Sequence, residues 1–131
     1  MELLEKYIKE IEIDLKIDEM NVKEMSLKAP GKKHFWVSRL IRHKRNLIDL
    51  ENQKEDLKKR VVNEIQHQSI VKLSYVAADK ASDSTELIKS INKQIADEKI
   101  LIEFLEKTEK IFSSLTYDIG NITKIMQLEQ I

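Results

Sequence analysis

Lys54, Lys58, Lys59 and Arg60 crowd the middle of the chain around the apolar residues Leu57 and Val61. Cations at this density perform no covalent chemistry by themselves; they bind anions. Part of the set fits a solvated helix stitched by pairs four residues apart, because Glu55 precedes Lys59, Asp56 precedes Arg60 and Arg45 precedes Asp49 at that spacing. Lys58 does not fit. Four residues before it stands another cation, Lys54, and like charges at this spacing weaken an isolated helix, so an anionic partner is indicated. At about 100° per residue, Lys58 and Arg60 lie about 80° to either side of the Leu57–Val61 stripe, and Lys59 points away from it. Cations flanking a packing seam can line a groove and lay their stems on apolar surface. With Arg39, Arg42 and Lys44 earlier in the same stretch, they form a candidate set of phosphate contacts. Pattern alone leaves two explanations open, a bound nucleic acid or a self-paired, solvated helix.

The wider charge distribution favours looking for a polyanion. Formal charge cancels over the whole chain, yet residues 28–60 carry +7, residues 1–27 carry −4 and residues 61–131 carry −3. A basic middle can meet a phosphate backbone while the two ends repel one, and such affinity falls steeply with salt. Phe35-Trp36, beside Lys32, Lys33 and Arg39, offers a possible platform for unpaired bases. Trp36 is better read as the head of an apolar seam, whereas Phe35 falls off that seam and stays open.

Catalytic signals are poor, and the chain is not expected to be an enzyme. Two isolated glycines cannot build a phosphate-cradling loop. His34, His43 and His67 lie nine and twenty-four residues apart, without metal-ligand spacing. Ser113-Ser114 and the scattered carboxylates show no nucleophile–base arrangement. No metal or other cofactor is expected. The absence of cysteine excludes a disulfide scaffold and fits a reducing compartment. The opening MELLEKYIKE is too charged for a secretory signal, and no run approaches a membrane span, so a soluble cytoplasmic protein is expected.

The elements that must position these cations are helices. Two glycines, one proline and 35% charged residues suit long helices and an all-α fold. Leu3, Leu4, Tyr7, Ile8, Ile11, Ile13 and Leu15 predict a helix over about 2–16. Asp18 reads as the N-cap of a short helix carrying Met20, Val22, Met25 and Leu27, ended by a hinge at Pro30-Gly31. A long helix follows over 33–66, with a coiled-coil-like seam of Trp36, Leu40, His43, Leu47, Leu50, Lys54, Leu57 and Val61. Residues 69–75 read as a short extended piece or a helix end, and 77–84 as a loop.

Asp83 or Ser84 starts the last helix, whose stripe runs Leu87, Ile91, Gln94, Glu98, Leu101, Leu105, Thr108, Phe112, Leu115, Ile119, Ile122 and Met126, flanked by Ile88, Ile95 and Ile102. A stripe this wide must face more than one helix, so other subunits are expected to cover part of it, with Leu101, Leu105, Phe112, Leu115, Ile119 and Ile122 as oligomer contacts. Gly120 suggests a break near 117–121 or a close backbone contact. The expected organisation is a basic N-terminal helical region (1–66), a connecting segment (67–84) and a C-terminal oligomerisation region (85–131), with the long helices arranged as helical hairpins.

Three short motifs, in order along most of the chain, then carry a family resemblance. They are Ile17-Asp18 followed by Asn21, Glu24, Ser26 and Pro30; Leu57-Lys58-Lys59-Arg60-Val61; and Ile119-Gly120-Asn121-Ile122. Together they resemble the UvsY-type recombination mediators of large tailed phages, whose single-stranded DNA binding is assigned to a Leu-Lys-Ala-Arg-Leu type of motif. The resemblance implies a non-enzymatic accessory factor of homologous recombination. Such a factor binds single-stranded DNA as a ring-shaped homo-oligomer, here of about six or seven subunits. It helps load a RecA-like phage recombinase onto strands coated by single-stranded DNA-binding protein, in the cytoplasm of an infected bacterial host. Lys58 and Arg60 inherit the DNA-contact role, and Lys59 stands where the family usually has a small residue. The aromatic residues that often follow the motif are replaced by Val62-Asn63-Glu64, and the aromatic expected after the Gly-Asn pair is absent, with Met126 nearby. The rival reading is a helical assembly or chaperone-like adaptor that uses the basic helix for protein contacts only.

Overall fold

The protein is described here by a computed structural model over residues 1–130. Those residues form four helices and no strand: α1 (Glu2–Asp14), α2 (Val22–Gln68), α3 (Tyr75–Ser82) and α4 (Glu86–Glu129). The all-α expectation is met. The chain divides into two compact units. One holds Met1–Arg42 and the part of α4 from Leu101 onward, and the other is His43–Ile100.

In the first unit, α1 lies on the start of α2 through one face. Tyr7 and Ile11 are buried, and Glu10 and Asp14 fall on the same side at helical spacing. The Trp36 indole Nε1–H donates to Asp14 Oδ2 at 2.8 Å, and Arg39 donates to Glu10 Oε2 at 2.5 Å. The Arg39 guanidinium also sits 4.5, 4.2 and 4.8 Å from the ring centroids of Tyr7, Phe35 and Trp36. Between α1 and α2 the chain turns on a reciprocal pair. Asp18 Oδ1 accepts from the backbone N–H of Met20 and Asn21, and Asn21 Oδ1 accepts from that of Asp18. The expected helix start at Asp18 is thus a turn, and the helix proper begins four residues later at Val22, with the Asn21 carbonyl accepting from Met25 N–H.

The expected hinge at Pro30-Gly31 is corrected by the structure, because α2 runs through both residues. An interior proline loses one backbone hydrogen bond and crowds the preceding turn, at a cost of about 3 kcal/mol. Tertiary packing offsets this. Val22, Met25, Ala29, Trp36 and Leu40 are all buried, so one seam passes Pro30 without changing phase. Gly120 likewise neither breaks α4 nor meets a close backbone: a Cβ built there, or at Gly31, meets nothing within 4 Å. Gly31→Ala and Gly120→Ala are each expected to raise stability by about 0.5–1 kcal/mol, read as a higher urea midpoint at unchanged slope.

The second unit is an antiparallel pairing of α2 and α4 segments with α3 added. Leu50, Ile91 and Ile95 form its buried cluster, with Leu47 and Leu57 packed against them. His43 Nδ1 and Glu98 Oε1 are hydrogen-bonded between α2 and α4, their side chains 14% and 9% exposed. Ile88 and Ile95, placed in a flanking row by the sequence pattern, are the buried positions, whereas Leu87 and Gln94 are exposed. The seam of α4 therefore begins one residue out of the expected phase.

The connecting segment also differs from expectation. The loop expected at 77–84 is largely helix α3, started by Ser74, whose Oγ accepts from Ala77 N–H at 3.2 Å. Ala78 and Ser82, four residues apart, are fully buried, and side chains this small allow a close approach of the helix to its neighbours.

Candidate nucleic-acid interface

The basic residues lie on α2, and their environments sort them into three groups. Arg39 is taken up by structure. Its side chain is 18% exposed, ion-paired to Glu10 and covered by three aromatic rings. It locks α1 to α2, and the guanidinium expected to contact phosphate is engaged by Glu10. Arg42, Lys44, Lys59 and Arg60 are exposed, and Lys54 is half-buried. Among the described residues Lys59 keeps only the expected pair with Glu55, at 3.6 Å, with both side chains 68% exposed. Such a pair contributes little and yields readily to another anion.

Lys58 is different. The sequence places it symmetrically with Arg60 about the Leu57–Val61 stripe, but α3 covers the Lys58 side. Its Nζ stands 2.9 Å from Asp83 Oδ1 and 3.3 Å from Asp79 Oδ1, and its side chain is 25% exposed. The hydrogen bond to Asp83 holds the ammonium above the ordinary lysine value against the opposing effect of burial, with Asp79 adding to the rise. The sign is that of a gained partner. This contribution to stability is complete below the ordinary lysine value and is lost only as pH rises through the raised one. Lys58 is therefore fully charged at neutral pH. The anionic partner that the Lys54–Lys58 spacing demanded exists within the chain, twenty-five residues away at Asp83.

No protein-family model matches this sequence, and no curated protein does. Solved structures do match the fold. Crystal structures of the bacteriophage T4 recombination mediator protein UvsY superpose with TM-scores of 0.84, 0.81 and 0.78 in lattice types IV, II and I. Identity is 15%, 15% and 14%, over 96%, 98% and 92% of this chain and 98%, 98% and 96% of the UvsY chains. The chain has the UvsY fold.

On this UvsY fold the residues expected to join subunits are mostly buried within the single chain. Leu101, Leu105, Phe112 and Leu115 are 1–3% exposed within the single chain. The stripe of α4 that looked too wide for one chain is therefore covered there by the chain itself. Ile119 and Ile122 are half-buried, and the outward apolar residues of this part of the UvsY fold are Tyr117, Ile125 and Leu128.

The polar residues considered for catalysis have local partners. Ser113 and Ser114 donate to the carbonyls of Glu109 and Ile111, and His67 Nδ1 lies 2.8 Å from the carbonyl oxygen of Asn63. No helix among the described residues is long and apolar enough to cross a membrane. The sequence reading missed Asp79 and Asp83, which sat in an expected loop. Their spacing of four residues on an alanine-containing run, opposite an unexplained lysine, was the available signal.

Proposed function

We propose that this chain is a recombination mediator that binds single-stranded DNA as a ring-shaped homo-oligomer. In this reading it promotes loading of a RecA-like recombinase onto strands coated by single-stranded DNA-binding protein, in the cytoplasm of a phage-infected bacterium. The observation that carries the reading is the gathering of exposed cations on the long helix α2 of a UvsY fold, Arg42, Lys44, Lys59 and Arg60, together with Lys54 and Lys58. The matched structures are of a protein described as a recombination mediator.

Mechanism follows from repetition. One cationic helix binds a phosphate backbone weakly and without regard to sequence. A closed ring repeats the helix around one face, and each further contact on the same strand becomes intramolecular, so avidity rises without any new kind of contact. A strand held by its phosphates keeps its bases available to a recombinase, and no nucleotide hydrolysis is required of this subunit. In this scheme residues 1–66 supply the DNA-binding helix, 67–84 the connecting segment and 85–131 the subunit contacts. Ile119 and Ile122, with the exposed Tyr117, Ile125 and Leu128, supply the apolar contact area.

Lys58→Ala with Arg60→Ala is expected to weaken oligo-dT binding about tenfold or more in a fluorescence anisotropy titration. It is also expected to flatten the logarithmic salt dependence by about 0.7 for each phosphate left unneutralised, with the oligomer's mass in solution unchanged. Ile125→Glu with Leu128→Glu is expected to do the reverse: smaller species by mass, weak binding to long strands, and little change on short oligonucleotides. Deleting the end of α4 is no substitute, because Phe112 and Leu115 belong to the protomer's own core. A protein that ignores oligo-dT in dilute buffer, or stays a single subunit in its presence, overturns the proposal.

A further inference from the structure

Asp79 and Asp83 place two carboxylates around Lys58, where a strand contacting Lys59 and Arg60 would otherwise offer phosphate. They come from an element built to hold them there. Ala78 and Ser82 pin the neighbouring face of α3 into the unit. Asp79 and Asp83, one residue further round the helix at the same spacing of four, then point their carboxylates at the lysine. The contact is accessible to solvent, with the Asp79 and Asp83 side chains 38% and 54% exposed. Exposed ion pairs are worth up to about 1 kcal/mol each, so a competing anion can displace this one.

We propose that Asp79 and Asp83 are affinity-determining residues of the nucleic-acid site: they stand in for phosphate at Lys58 and release it only to a polyanion already held by the neighbouring cations. The inference rests on the reading of α2 as a single-stranded DNA site and names how that site is regulated. An isolated phosphate or a short anion must displace two tethered carboxylates with no neighbouring contact to hold it in place, and it fails. A strand anchored at Arg60 and Lys59 delivers its next phosphates at high local concentration, and it succeeds. The freed lysine needs no protonation step, because its ammonium is charged throughout the neutral range. In an oligomer the same exchange repeats in every subunit. The site thereby favours long strands over the short anions abundant in a cell.

The test is a thermodynamic cycle on the full chain, with oligo-dT anisotropy as the readout. Asp79→Asn with Asp83→Asn should tighten binding about fivefold to tenfold, with the salt dependence little changed, because the freed lysine meets the same phosphate in both proteins. Lys58→Ala in the same background should erase that gain. Glu51→Gln with Glu64→Gln removes the same formal charge from exposed positions on α2 and should gain far less. Equal gains in this control, or a gain that survives Lys58→Ala, would reduce the effect to net charge and overturn the inference. Unchanged or weaker binding by the double asparagine variant would also overturn it, leaving the aspartates as staples of α3. If wild type binds and Arg60→Ala weakens it, those outcomes strike the masking alone. If neither wild type nor the asparagine variant binds at low salt, the DNA reading itself fails and takes the inference with it.

Discussion

Replacing Trp36 by alanine is expected to destabilise the protein by about 4 kcal/mol, within the range measured for large aromatic side chains removed from cores. Trp36 is 1% exposed. It meets Tyr7 edge-on, with centroids 5.8 Å apart and planes at 86°, and its indole N–H is satisfied by Asp14. Removing the ring opens a cavity, takes one hydrogen bond from the Asp14 carboxylate, which keeps Lys32 at 3.7 Å, and removes one wall of the Arg39 cage. Phenylalanine at the same place keeps most of the apolar contact and loses the hydrogen bond, so about 1–2 kcal/mol is expected for Trp36→Phe. Urea unfolding followed by circular dichroism measures both. Because α1 is held to α2 through Tyr7, Ile11, Glu10 and Asp14, the alanine variant should also become sensitive to limited proteolysis in the turn after α1. A variant with wild-type stability and an uncut turn would show that α1 is held by something other than this cluster.

Second in size is the His43–Glu98 pair. Its side chains are nearly out of solvent, flanked along α2 by Leu47 and along α4 by Ile95. Breaking a buried pair from one side leaves an uncompensated polar group, which costs more than the pair itself contributes. His43→Leu, which strands a carboxylate, is expected to cost about 3 kcal/mol. Glu98→Leu, which removes the carboxylate itself, should cost less, about 1–2 kcal/mol. The double variant should be more stable than His43→Leu alone, because two apolar side chains of similar volume can refill the seam. Additive losses in the cycle would mean that the two groups do not depend on each other.

The seam of α2 was legible because period is a local property. Trp36, Leu40, His43, Leu47, Leu50, Lys54, Leu57 and Val61 step around a helix by four and three, and none of the eight is exposed. The break at Pro30 was misread for the opposite reason. Proline acts through its own residue and the turn before it, whereas the packing that overrides it comes from Val22, Met25, Ala29 and Trp36 together. Carrying the apolar phase backwards from Trp36 through Ala29 and Met25 would have shown a single helix. Similarly, α3 offered only eight residues and a weak apolar signal, too little for periodicity to separate it from a loop.

For the candidate site, the sequence by itself determined the helical class, the sorting of charge and the gathering of cations on one long helix, all consequences of composition and of neighbours within four residues. It also held the hint that Lys58 needs an anion, since Lys54 precedes it at repulsive spacing. Only the tertiary structure decided which cations remain available. Arg39 is claimed by a carboxylate twenty-nine residues away and Lys58 by one at a separation of twenty-five, while Arg60 stays exposed. It also decided that the apolar stripe of α4 is covered at Leu101, Leu105, Phe112 and Leu115 by the chain itself. The physical reason is range. Helix formation is governed by contacts one turn apart, but a charge is satisfied by whatever the folded chain brings within a few ångströms, and no spacing rule encodes that.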